Sequence, residues 1–508
     1  MSIYEKLYDW QKTIIDKYKS RRNFGLFLDC GTGKTPISLA FAEVNKCNKI
    51  IIITINSKAT EDENVSGSWL NWALKSNIKY NFKNKEDNEF SISENDILLI
   101  NYEALYKRGK EKPSKSKMEL KDNIVNFLKS CKTNNVAIIV DESHKLKNLQ
   151  SQQTLAINKI QRLANIYSPN VYTYLLTGTP FTTGYIDLYS QLKILGYDCN
   201  KSEFINNYCI VGHLPGLLGW QQPIIGYKNV NDLYDLIHKY AITIKSEDVI
   251  KLPEKIFINH ISKKSDSFNL LTLEKINDIY FNNYIRKYRK DILDTLEKPR
   301  DIKINNKLYR NLEYPSDKWF ADTAGSFWLR ARQISIGFQG NADDSKWYNK
   351  DRLKDLRKLL EESPNNYVLF YNYTPELLEI YQICEELGYN IDVYCGEVKS
   401  LCFYEKYEKQ TEEEKLTNKK NVIISNFASG STGKNWQQYN QCILFSIPLY
   451  KDYEQAIKRI NRTGQKETTF YHLFYQDNWL DKGMLKSLEE NKQYSSDMFT
   501  NDLLKNLE

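Results

Sequence analysis

The 508-residue sequence predicts an α/β protein with two tandem lobes, each a parallel sheet with helices on both faces. Three observations carry that reading. An apolar run at Phe24–Leu28 stops at a glycine turn, and a helix-like run with Ile37, Leu39, Ala40 and Phe41 follows. A second apolar run, Val136–Val140, ends in Asp141-Glu142. The second half again alternates strand and helix, with apolar runs at Tyr367–Tyr371 and Val422–Ile424. Short apolar runs without polar alternation mark strands buried on both faces, as those of parallel sheets are.

The first turn reads Gly31-Thr32-Gly33-Lys34-Thr35. Its N–H groups and the helix N-terminus converge on one anion, and a lysine adds a full charge. Lys34 is expected at the β- and γ-phosphates of ATP, with the Thr35 hydroxyl on Mg²⁺. The longer pattern needs a first glycine at position 28, where Leu28 stands, so the shorter Gly-x-Gly-Lys-Thr form applies. The competing reading is an ordinary glycine turn. Asp141 is expected to hold Mg²⁺, usually through water, and Glu142 to orient or deprotonate the attacking water. Alone, Asp-Glu-x-His is a common charged loop; at the end of a buried strand downstream of a phosphate turn it gains weight. A third run, in "VYTYLLTGTPFTTGYIDLYSQL", ends in Thr177-Gly178-Thr179-Pro180, which by itself reads as a turn.

In the second half, "NNYVLFYNYTPELLEIYQICEELGYNIDVYCG" reads as strand, helix, strand, with Leu377, Leu378, Tyr381 and Ile383 on the helix. A glycine turn through Gly430 and Gly433 follows the next strand, with Asn435 just after it. The segment "QCILFSIPLYKDYEQAIKRINRTGQ" adds a strand and a helix running through Gln455, Arg459 and Arg462 to Gly464-Gln465. Three residues apart, Arg459 and Arg462 are expected on one helix face, a guanidinium pair suited to charge on a transferred phosphoryl group. The competing reading is a basic face toward solvent or DNA phosphate.

In this order, Gly-x-Gly-Lys-Thr, Asp-Glu-x-His and Thr-Gly-Thr-Pro resemble the first lobe of superfamily-two helicases and translocases, whose lobes are RecA-like. "LYDWQKTII" is similar to their adenine-reading segment, which implies that Gln11 bonds the base; an exposed helix residue is the alternative. "DILLINYEAL" and "SWLNWALK", with Trp69 and Trp72, look like further family segments, although tryptophans three apart also suit plain helix packing. "RINRTGQ", the residues 204–255 and the helix "FWLRARQISIGF" narrow the resemblance to the Swi/Snf family of double-stranded-DNA translocases, in a minimal bacterial or phage-type form. Thr243 and Ile244 stand where that family often has an Arg-Arg pair, and its frequent tryptophan is missing from Ile447–Tyr450.

The resemblance implies a nucleotide site of Gln11, Gly31, Thr32, Gly33, Lys34, Thr35, Gly433 and Asn435. It implies catalytic roles for Lys34, Asp141, Glu142, Arg459 and Arg462, and Mg²⁺ on Thr35 and Asp141. ATP and Mg²⁺ are the implied cofactors, and duplex DNA held through its phosphate backbone the implied partner, with any recruiting protein open. The expected activity is ATP hydrolysis coupled to translocation on double-stranded DNA. A strand-separating DNA or RNA helicase and a catalytically idle nucleotide-gated scaffold are the alternatives. The expected domains are a RecA-like lobe at 1–200, helical protrusions and a linker at 201–345, a second RecA-like lobe at 346–480 and a brace helix at 481–508.

Composition agrees without deciding. A net charge of +7 is mildly basic and is weak support for a nucleic-acid partner. Nine cysteines without a C-x-x-C pair and five scattered histidines predict neither a disulfide framework nor a metal cluster. No run approaches the roughly 18 apolar residues of a membrane span, and no leader is evident, so a cytoplasmic protein without a membrane partner is expected. The basic stretches "YKRGKEKPSKSK" and "NYIRKYRK" read as solvated faces before they read as DNA contacts.

Overall fold

The computed structural model describes residues 2–59, 67–107, 118–181, 184–212, 224–263, 300–304, 307–311, 324–339, 346–347, 349–396, 398, 400–417, 420–430, 435–490, 494, 498–499 and 502. The chain forms two compact units, residues 1–252 and 253–508.

In the first unit, strands β1 (Asn23–Leu28), β2 (Cys47–Thr54), β3 (Asn81–Lys83), β4 (Asp96–Asn101), β5 (Asn135–Asp141) and β6 (Val171–Thr177) build the sheet. A short hairpin, β7 (Cys209–Val211) and β8 (Ile224–Tyr227), precedes a seventh sheet strand, β9 (Ala241–Ile244). The order is β3-β4-β2-β5-β6-β1-β9, and every neighbouring pair is parallel. Ile50 to Ile53 of β2 are wholly buried, and the two faces of the sheet carry separate apolar cores. Burial on both faces is why these strands read as continuous apolar runs. One polar pair interrupts them: Lys49 of β2 and Asp96 of β4 lie opposite in register and form a fully buried ion pair.

Topology brings the site together. β1, β5 and β6 are far apart in sequence, yet β5, β6 and β1 are adjacent in the sheet. Asp141 pairs with Leu176, and Phe27 pairs with Thr177, so the three loops leave the sheet at one level.

The second unit has a six-stranded parallel sheet. Its members are β10 (Lys255–Ser262), β15 (Tyr367–Tyr371), β16 (Asn390–Tyr394), β17 (Asn421–Asn426), β18 (Gln441–Leu444) and β19 (Thr469–Gln476). Two antiparallel pairs, β11 (Arg300–Ile304) with β12 (Lys307–Asn311) and β13 (Phe338–Gln339) with β14 (Lys346–Trp347), lie between β10 and β15 in the chain. The order is β10-β19-β18-β15-β17-β16, with helices such as Asp351–Glu362 and Thr374–Glu386 on the sheet. Two parallel α/β lobes are what the sequence predicts.

The two units divide between Leu252 and Pro253, inside the expected 201–345 segment. Residues 201–345 give an edge strand to each sheet: β9 pairs with β1, and β10 pairs with β19. A Cβ on Gly25 would lie 2.6 Å from the Ala241 Cβ, so a glycine in β1 lets β9 approach. The last helix, Trp479–Glu489, puts Leu480, Met484 and Leu488 into the second unit's own core with Ala331, Ile334 and Tyr475. It is therefore an integral part of the second unit.

Candidate nucleotide site

The turn after β1 is built from backbone and glycine. Gly31 and Gly33 have φ of +81° and +84°, the left-handed region that glycine adopts without cost. A Cβ on Gly33 would also meet Gln11 Nε2 at 2.5 Å. Thr32 Oγ1 donates to Asp29 O at 2.7 Å, and Asp29 Oδ2 accepts from Ser246 N at 3.0 Å, which ties the turn to the end of β9. Lys34 opens the helix Lys34–Val44, and its Nζ donates to Leu28 O at 2.8 Å and Asp29 O at 3.0 Å. The ammonium thus lies inside the turn. Positive φ at two glycines, the N-terminus of an eleven-residue helix and an inward lysine make an anion cradle.

Gln11 is brought to this cradle and is buried, which removes the exposed-helix reading. Its Nε2 donates to Thr32 O at 2.8 Å, and its Oε1 accepts from Tyr8 N at 3.0 Å. The side chain therefore clamps the turn to the start of the helix Asp9–Tyr18. Trp69 is buried in the core, as helix packing requires, and Lys75 Nζ lies 4.2 Å over the ring of Trp72.

At the end of β5, Asp141 is nearly enclosed. Its Oδ2 accepts from Thr54 Oγ1 at 3.0 Å and Lys58 Nζ at 2.9 Å, and its Oδ1 from Glu142 N at 3.0 Å. Glu142 has φ +53°, an uncommon conformation for a residue with a Cβ, and it turns the chain sharply after the strand. Its Oε2 lies 3.4 Å from His144 Nδ1, which is in turn 3.2 Å from Thr177 Oγ1. Thr177 also accepts from Thr179 N at 3.1 Å, so the Thr-Gly-Thr-Pro turn and the acidic pair form one network. Tyr102, from the segment after β4, donates to Asp141 O at 2.6 Å. Burial, and then the Asp141 and Glu142 charges, push its hydroxyl pKa well up.

Sequence reasoning missed Lys58. Burial pulls its ammonium pKa down, but the Asp141 and Glu142 carboxylates outweigh that and hold it above its ordinary value. No sequence motif marks it, because its role depends on β2 lying beside β5.

The residues fit a magnesium nucleotide. Thr35 and Asp141 offer hard oxygen donors of the kind Mg²⁺ takes, and a side chain at Gly33 would crowd Gln11 and strain a left-handed backbone. Among the described residues no group of three or more His, Cys, Asp or Glu side chains forms a metal cluster, and no helix is long and apolar enough to cross a membrane.

In the second unit, the arginine segment departs from expectation. The helix Tyr450–Ile457 ends before Arg459, so Arg459 and Arg462 lie on the turn beyond it and share no helix face. Backbone and side-chain bonds hold that turn. Trp436 N donates to Arg459 O at 3.0 Å, and Gln465 Nε2 donates to Gln437 O at 3.1 Å and Tyr439 O at 3.0 Å. This lacing brings Arg462 Nη1 onto Asn435 Oδ1. Gln465 is a positioning residue the sequence named without a role. Gly433, the stretch 283–290 and residues 108–117 lie outside the described residues.

A phosphate-cradling turn after β1 and an acidic strand end on β5, with β6 between them in a parallel sheet, have the arrangement of a P-loop nucleotide-binding unit. Residues 4–182 match the family model described as the type III restriction enzyme, res subunit. That span covers β1 to β6 with Gln11, Lys34, Thr35, Asp141 and Glu142. Among solved structures, the chain is similar to the Sulfolobus solfataricus SWI2/SNF2 ATPase core in complex with dsDNA. The identity is 17%, with 96% of this chain and 91% of that one covered and a TM-score of 0.37, a likeness that adds no inference of function. No curated protein matches.

Proposed function

We propose that this protein hydrolyses ATP and couples the cycle to movement along double-stranded DNA. The observation that carries the ATPase reading is the adjacency of the β1 turn, the β5 acids and the β6 threonine on one sheet edge. In this reading Lys34 binds the β- and γ-phosphates, and the turn's N–H groups share their charge. Gln11, beside the turn, is proposed to bond the adenine edge. Mg²⁺ on Thr35 and Asp141 would supply Lewis-acid neutralisation of the phosphate charge. Glu142 accepts the proton of the attacking water, and His144, itself held by Thr177, keeps its carboxylate in position. Arg459 and Arg462, with Asn435, are the second unit's proposed contribution to charge on the γ-phosphate.

Translocation on duplex rests on the Arg-x-x-Arg-x-Gly-Gln ending at Arg459–Gln465 and on the presence of a second parallel lobe. Helix N-termini and backbone N–H groups hold nucleic acid through phosphates without reading sequence. The test is steady-state ATP hydrolysis by wild type and Lys34→Ala with no polynucleotide, single-stranded DNA, blunt duplex or RNA. Strong stimulation by blunt duplex, lost in Lys34→Ala, is the expected result. Stimulation by single strands or RNA alone would select a strand-separating helicase, and turnover that persists in Lys34→Ala would sink the site assignment.

A further inference from the structure

The last residue of β2, Thr54, and the short helix Asn56–Ala59 after it stand beside the end of β5, because β2 and β5 are sheet neighbours with Ile53 opposite Val140. That placement carries Lys58 onto both acids. Its Nζ lies 2.9 Å from Asp141 Oδ2 and 3.7 Å from Glu142 Oε1. Lys34, the lysine named by the motif, instead donates to the carbonyls of Leu28 and Asp29. Both Asp141 oxygens are engaged, Oδ1 by the Glu142 N–H and Oδ2 by Thr54 and Lys58. Two adjacent carboxylates, 3% and 15% exposed at the side chain, repel strongly unless a cation lies between them.

We infer that Lys58 is a positioning residue that holds Asp141 and Glu142 as a charged pair and must release Asp141 Oδ2 for a metal–nucleotide complex to bind. The inference rests on the nucleotide reading above. Lys58 and a divalent cation compete for one oxygen, so the lysine sets the metal concentration at which the site loads. It also orients Glu142 when no nucleotide is held, a role that an apolar residue at 58 cannot fill. A purely structural ion pair makes a different prediction, because its loss lowers stability and leaves metal dependence unchanged.

The experiment is a Mg²⁺ titration of fluorescent ADP-analogue binding, without turnover, on the full-length protein. Lys58→Gln removes the competing charge and is expected to lower the half-saturating Mg²⁺ by about tenfold. Lys58→Arg keeps the charge and is expected to stay within about twofold of wild type. Lys58→Met, which keeps the hydrocarbon stem, replaces Lys58→Gln if that variant does not fold. Equal Mg²⁺ dependence in wild type and the charge-removed variant would overturn the role of Lys58 and leave the nucleotide site standing. Wild type with no Mg²⁺-dependent nucleotide binding would overturn both.

Discussion

The turn after β1 and the turn after the helix Tyr450–Ile457 both gather charged groups, and they are built by different means. The first relies on left-handed glycines, a helix N-terminus and a glutamine that clamps one carbonyl. The second has a single left-handed glycine, Gly464, and takes its shape from Gln465, whose amide ties it to the segment 437–439. A cradle of backbone N–H groups suits an anion that must be enveloped, whereas a side-chain-laced turn gives a buried Arg459 and a half-buried Arg462 a rigid base. A short motif thus marks charged residues in both places, while only the first turn's shape is legible from its residues.

The largest test of that contrast is loss of the cradle's charge. Lys34→Ala is expected to reduce duplex-stimulated hydrolysis by about a thousandfold or more, with the melting temperature retained. Arg462→Ala is expected to lower kcat by about a hundredfold with nucleotide affinity nearly unchanged, measured as separate kcat and binding constants. Equal losses of affinity in both variants would erase the distinction between the cradle and the arginine turn.

A smaller effect concerns the second unit alone. His472, buried between His260 at 3.0 Å and Gln441 at 3.0 Å, has its pKa lowered to about 4, first by burial and then by His260. His260 is also lowered, with Asp355 opposing the shift. The unfolded chain takes up the His472 proton near pH 6.5 and the folded chain only near 4, so stability is full above about 6.5 and falls as pH drops toward 4. Urea denaturation across that window should show a loss of about 3 kcal/mol attributable to His472. His472→Gln is expected to flatten the slope, and an unchanged slope would rule this histidine out as its source.

The smallest expected difference compares the two turns directly. Gly33→Ala meets Gln11 Nε2 at 2.5 Å as well as backbone strain, whereas the nearest atom to a Cβ on Gly464 is 3.6 Å away, at φ +101°. Denaturation midpoints should place Gly33→Ala about 2 kcal/mol and Gly464→Ala about 1 kcal/mol below wild type. The reverse order would show that crowding against Gln11 does not govern the first turn.

Lys34 and the Asp141-Glu142 pair were legible because each motif is local: a buried strand, a turn of fixed residue types and a helix lie within twenty residues. The arginine turn was legible in composition but not in geometry, since the periodicity of "YEQAIKRINR" continues past Ile457 while the helix stops there. Gln11 was read as a base contact, and its hydrogen bonds to Thr32 and from Tyr8 add a structural role that no spacing announces.

By itself, then, the sequence determined the class of fold and the strand-end positions of the first site's residues, because strand burial, glycine conformation and charge are properties of contiguous residues. Only the tertiary structure decided that β9 and β10 join different sheets, that the C-terminal helix belongs to the second unit's core, and that Lys58 meets Asp141. Each of those depends on which strands and helices become neighbours. Parallel strands are joined through helices that pass over the sheet, so neighbours in space are seldom neighbours in the chain.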